Sequence, residues 1–343
     1  MKKFKFTHKK LILSALAVFA LVPAGGAANP LLGSDLTSFV ILAGEYAVTG
    51  AGSTVTGNVG ADSYITTGLN NFGYGSSYAG SYIATGANFV STGQLYSGSY
   101  ITTGAGSSNT GSNYAVGYIE VGANSFNGGS NNSSSYITLG GGSRSSENNP
   151  YSPLSFRSPV SNALNQLKGA KTALSLITAT TTLAATMSGT QTLFAGVYNA
   201  PAITTAASTH LTLDGQGALN PLWLFNIDTY LSTGAFTAVD IINSGPGAEV
   251  IWNTGGYGAF GANTQMIGTV LSGSYISTGA DATSGPLLAS GYVTLGANGK
   301  VSCLNCAVSV ASAVPEPETY ALMLAGLGMV IFITRCSKKK HPA

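Results

Sequence analysis

The 343-residue chain is sparsely charged, with only 8% Asp, Glu, Lys and Arg and a formal net charge of +2. Nine of its basic residues sit at the two ends. Between residues 31 and 314 there are five basic and ten acidic side chains, so the body carries 5 − 10 = −5. That excludes a basic footprint for nucleic acid. It also implies a surface built from Ser, Thr, Asn, Gly, Ala and Tyr, against the roughly 25% charged residues of an average globular chain.

The chain opens with lysines, an apolar run from Leu11 to Val22 and small residues from Ala24 to Ala28. This order reads as a secretory signal, residues 1–28, with cleavage after Ala28. A domain is expected over 29–313.

A repeat then begins. Tyr46, Tyr64, Tyr82, Tyr100, Tyr118 and Tyr136 are each 18 residues apart, and glycines from Gly50 to Gly140 keep the same step. Variants of GSYITTGA return at 273–280 and 290–297. A short fixed period means a solenoid. Units too small for a helix pair, rich in β-branched and aromatic residues with Gly, Asn and Ser between, predict one β-helical coil per repeat. The expected fold class is therefore mainly β, a parallel β-helix, with coils over 46–153. Strand alternation sets Ile65, Ile83 and Ile101 inward with the Thr two residues on. It sets the Tyr column outward beside a column of small residues: Thr66, Ala84, Thr102, Thr138, Ser277 and Thr294. The inverse, with Tyr inside and its hydroxyl partnered, stays open.

Residues 143–158 read as a polar, proline-bearing loop. Val160, Ala163, Leu164, Leu167, Ala170, Leu174 and Ile177 then recur at helical spacing, predicting one long helix over 159–177, capped by Ser158 and packed on a solenoid face. Strand-like segments return over 190–299, so the solenoid is discontinuous.

Chemistry-bearing residues are few. Cys303 and Cys306 form a C-x-x-C pair with neither a second pair nor a nearby His to complete a zinc site, which leaves a local disulfide or two inert thiols. Asp214 precedes a glycine in a turn. His210 and Asp214 share a strand as an exposed polar pair. Scattered carboxylates do not supply the acid and base of a polysaccharide lyase or hydrolase. Neither an enzyme, a metal nor a cofactor is expected.

At the end, Pro315, Glu316 and Pro317 precede an apolar run over 320–334 and the basic Arg335 to Lys340. This order resembles the PEP-CTERM sorting signal of Gram-negative bacteria, placed here at 314–343. The resemblance implies an exosortase as partner, a transient inner-membrane anchor through a short transmembrane segment at 320–334, and a mature protein that is secreted or held at the cell surface.

Residues 32–60, LGSDLTSFVILAGEYAVTGAGSTVTGNVG, with AGVY at 195–198, LTLDGQG at 211–217, LWLFNI at 222–227 and VIWN at 250–253, resemble in order the bacterial and fungal ice-binding proteins. That family has a discontinuous right-handed β-helix with an adjacent α-helix. The resemblance implies an ice crystal surface as target. Some members are described with a Thr-small-x-Asn/Thr pattern on the ice face, which Thr85 to Asn88 match. The candidate ice-binding residues are thus Thr66, Ala84, Thr102, Thr138, Ser277 and Thr294 by alternation, and Thr85 and Asn88 by resemblance. Extra coils over about 70–142 depart from the family pattern. The alternative is a surface protein that binds exopolysaccharide, with sugar rings stacked on the Tyr ladder.

Overall fold

A computed structural model describes residues 32–155 and 158–303. The signal segment, Cys306, the Pro315-Glu316-Pro317 motif and the apolar run at 320–334 lie outside the described residues.

The chain coils into a parallel β-helix with three faces. One face is a 12-stranded parallel sheet. Its strands run Thr186–Met187, Ile203–Thr205, Leu231–Thr233, Gly258–Phe260, Ile276–Thr278, Val293–Leu295, then Ala47–Thr49, Ile65–Thr67, Ile83–Thr85, Ile101–Thr103, Ile119–Val121 and Ile137–Leu139. At about 4.8 Å per strand this sheet is roughly 50 Å tall. The C-terminal coils therefore come first in space. They climb to residue 295, where Val293 pairs with Ala47, and the N-terminal coils carry on to the far end.

The inward column is aliphatic at the middle. Ile65, Ile83, Ile101 and Ile119 are at most 3% exposed, and stacking of neighbouring coils buries what no single coil can. Below the join, Tyr198, Phe225 and Trp252 stack inside with centroids 5.2 and 4.0 Å apart. Toward the far end the interior turns polar. Asn113 donates to Asn131 at 2.8 Å, Asn127 to Asn131 at 2.7 Å, and Asn131 to Asn148 at 2.8 Å, with Asn109, Asn113, Asn127 and Asn131 all buried. These amides bond one another, leaving Asn127 Oδ1 as the buried amide oxygen without a partner among the described residues, so the interior of the last coils is lined by polar groups.

The corner after the sheet is shared between two residue types. Asn70, Asn88, Asn124 and Asn298 take φ of 55 to 56°, a left-handed conformation that Asn tolerates. Gly86 serves another need: a Cβ there would lie 2.3 Å from the carbonyl oxygen of Gly68 in the coil beneath.

Among the described residues two helices flank the solenoid. α1 (Ser34–Thr37) is a single turn that sequence periodicity did not predict. α2 (Val160–Ser175) lies where the apolar stripe placed it. Ser158 Oγ accepts from the Val160 N–H at 3.2 Å. Val160, Ala163, Leu167, Ala170 and Leu174 are buried against Leu224, Ile251, Leu271, Leu288 and Leu42. The strand Phe39–Ala43 shows why this face is apolar on both sides: Ile41 and Ala43 enter the solenoid core, whereas Phe39 and Leu42 lie under α2. The lower end of α2 is clasped by side chains. Asn226 donates to Leu174 O at 2.9 Å and Asn253 to Lys171 O at 3.2 Å. The Lys171 ammonium donates to Asn253 Oδ1, Thr254 O and Leu271 O. Desolvation there lowers its pKa to about 8.

The segment expected as a loop after residue 143 contains a strand, Arg144–Asn149, paired with Phe126–Ser133. Its polar sequence hid it, because it is an edge strand whose residues are mostly exposed. The second stack also starts earlier than residue 190, at the strand Thr181–Thr182.

Candidate functional site

Two outward ladders run along the 12-stranded sheet. The first is aromatic. Tyr230, Tyr257, Tyr275, Tyr292, Tyr46, Tyr64, Tyr82, Tyr100, Tyr118 and Tyr136 stack in that order, with centroids 4.8 to 5.1 Å apart and planes within 7°. Each sits just before its strand, at the coil corner, and points away from the core. The rings face each other, so both sides of every inner ring are covered by a neighbour. Edges and hydroxyls remain exposed. Burial, then the neighbouring phenols of Tyr100 and Tyr64, push the Tyr82 hydroxyl above its ordinary value of 10.0. Tyr82 therefore stays neutral through physiological pH.

The second ladder stands two residues further along each strand, about 7 Å away at the usual rise. Registered pairing puts Thr186, Thr204, Ser232, Ala259, Ser277, Thr294, Val48, Thr66, Ala84, Thr102, Glu120 and Thr138 in one column. Only Glu120 is charged. All six residues chosen by alternation lie here. Thr85 and Asn88 lie elsewhere. Thr85 belongs to the inward parity, and its Oγ accepts from the Gly104 N–H of the next coil at 3.4 Å. Asn88 occupies the corner and donates to Asn70 Oδ1 at 2.9 Å. Sequence reasoning missed Thr186, Thr204, Ser232 and Ala259, although TYLSTGA at 229–235 repeats the signature, because the steps from Thr204 to Ser232 and from Ser232 to Ala259 are 28 and 27 residues and break the 18-residue period.

The other two faces differ. α2 covers part of one. The third, the open face, carries the registered series His210, Ala238, Gln265, Thr283, Lys300, Thr54, Phe72, Val90, Ser108, Phe126 and Arg144. Cations and half-exposed phenylalanines interrupt it. His210 Nε2 lies 2.7 Å from Asp240 Oδ2 in an exposed pair. Asp214 instead holds its own turn, accepting from the Gln216 N–H at 2.9 Å. Among the described residues no three His, Cys, Asp or Glu side chains come together as a metal site. Cys303 is disulfide-bonded. Among the described residues no helix is long and apolar enough to cross a membrane.

The profile of the ice-binding-like family matches residues 41–300. The chain belongs to that family. A second profile, the PEP-CTERM protein-sorting motif, matches residues 313–339. Among curated relatives of this ice-binding-like chain, ice-binding protein 1 of Shewanella frigidimarina (strain NCIMB 400) is 34% identical over 113 residues, 32% of this chain and 13% of the relative. The ice-binding protein of Nostoc sp. (strain HG1) is 29% identical over 132 residues, 38% of this chain and 48% of the relative. The matched stretches thus span less than half of either relative. Among solved structures, a glycosylated ice-binding protein from an Arctic yeast aligns at 13% identity and a TM-score of 0.49, covering 80% of this chain and 96% of that one. An ice-binding protein from an Antarctic biological consortium aligns at 16% and 0.47, covering 82% and 96%.

Proposed function

We propose that the protein binds ice through the tyrosine face, with the Thr/Ser/Ala column as its centre. One observation carries this reading: twelve outward positions stand in unbroken register on a helix-free sheet with a single charge among them. Ice recognition needs rigid, evenly spaced groups that order water without hydrating too strongly. A Thr side chain restricts water with its methyl and anchors it with its hydroxyl. Stacked coils hold such groups at a fixed spacing, and the tyrosine row gives the column a second border of hydroxyls. Thr66, Thr102, Thr138 and Thr294 are the residues assigned to the contact, with Ala84 and Ser277 between them.

The match at 313–339 adds export and sorting to this reading. Pro315, Glu316 and Pro317 would be read by an exosortase, with a transient inner-membrane anchor over 320–334, and the body delivered to the outside of the cell. A non-catalytic role fits the scattered carboxylates. Exopolysaccharide stacked on the tyrosines is disfavoured, because a sugar ring needs an uncovered aromatic face and the inner rings offer none.

Purified residues 29–313 test the proposal by thermal hysteresis and recrystallisation inhibition, with albumin as control. Facetted crystals and small grains support it. Round crystals and coarse grains overturn it.

A further inference from the structure

The coil that joins the two stacks is assembled from two distant stretches of chain. Val293–Leu295 supplies its tyrosine-face strand and Lys300–Ser302 its open-face strand. The strand that completes it is Phe39–Ala43, wedged between Leu287–Ala289 and Asn58–Ala61. The pairing continues one coil on, where Val48 faces Thr294 and Val55 faces Val301. No peptide bond crosses this seam. Backbone ladders, the Tyr46–Tyr292 contact and the underside of α2 hold it together. The polypeptide passes between the stacks once, through residues 150–180.

An edge that accepts a strand from a remote part of its own chain accepts the same strand from another copy, because every contact is reproduced. The linker also begins under strain. Tyr151 lies between Pro150 and the nearby Pro153 at a φ of 58°, which a bulky residue rarely adopts. It is 76% exposed and tied to the last coil through its N–H to Ser135 O at 3.0 Å. Strain stored at a hinge invites exchange over intramolecular closure.

We propose that the partner of the seam is a second copy of this chain. Two molecules exchange their N-terminal stacks, so that Phe39–Ala43 of each completes the joining coil of the other. The product is a two-fold dimer with two whole tyrosine faces. Closure within one chain prevails in dilute solution, and exchange gains as chains fold at higher concentration. This inference does not depend on the ligand of the tyrosine face.

The test mixes two variants of the full chain, Val48→Cys and Thr294→Cys, which stand opposite each other across the seam, each also carrying Cys336→Ser to remove that native thiol, with the native disulfide at Cys303 left unreduced. They are unfolded, refolded together at rising concentration, treated with a short bismaleimide and separated by size. The expected result is a dimer fraction that rises with refolding concentration, with the two substituted positions joined between copies in peptide maps. Carrying both changes in one chain and linking them before unfolding should abolish that dimer. Monomer at every concentration overturns the proposal. So does a dimer without the seam link when the doubly substituted chain links readily within itself.

Discussion

Tyr46 and Tyr292 are 246 positions apart in sequence, yet their rings stack with centroids 4.9 Å apart and planes 1° from parallel. The tyrosine ladder thus runs through the join between the two stacks as if it were one more coil. The join is sterically exacting. A Cβ on Gly44 would lie 1.9 Å from Ser290 O, a backbone atom. Gly44→Ala should destabilise the protein by about 1–3 kcal/mol, the usual cost of overpacking. A lowered urea midpoint checks this.

The ladder makes a second prediction, about stacking against hydroxyls. Tyr82 touches Tyr64 and Tyr100 at centroid distances of 4.9 Å. Tyr82→Phe keeps both contacts and should leave stability within about 0.5 kcal/mol. Tyr82→Ala removes both and should cost about 1–3 kcal/mol, at roughly 0.5–1.5 for each aromatic pair. Equal loss in the two variants, read from denaturation midpoints, contradicts the account.

Much of this was legible in the sequence, and the reason is the period. An 18-residue step with alternation inside it is enough to put Ile65, Ile83 and Ile101 inside and their neighbours Thr66, Ala84 and Thr102 outside. The same reading placed Thr67, Thr85 and Thr103 inward, where their hydroxyls accept from the N–H groups of Gly86, Gly104 and Gly122 at 3.3 to 3.4 Å. What a period cannot give is the order of blocks in space. Nothing local in Phe39–Ala43 says that it completes a coil begun near residue 293. Nor does composition reveal that Asn113 and Asn131 point inward, because Asn reads as a turn residue until its amide partner in the next coil is known.

The helix clasp supplies a third prediction. Asn253 is 5% exposed and serves Lys171 O, Asn226 Oδ1 and the Lys171 ammonium. Asn253→Ala strands these groups and should cost about 1–3 kcal/mol, the penalty for unpaired buried polar atoms. Faster amide exchange in α2 than in the far coils would locate the loss.

A fourth concerns pH. Burial raises the Glu249 carboxyl from 4.5 to about 7. The folded state binds this proton more tightly than the unfolded one, so the group's contribution is full below about 4.5 and is lost as pH rises toward 7. Glu249→Gln should flatten stability across that window and raise the urea midpoint at pH 8. An unchanged pH profile would contradict the assignment.

The most direct test of the central claim is thermal hysteresis of residues 29–313 against the double variant Thr66→Tyr/Thr102→Tyr. Both changes lie on the outward column, so circular dichroism and the urea midpoint should be preserved. The account predicts facetted ice and measurable hysteresis for the parent and near-complete loss for the variant. A folded variant with undiminished hysteresis would place the ice contact on another face.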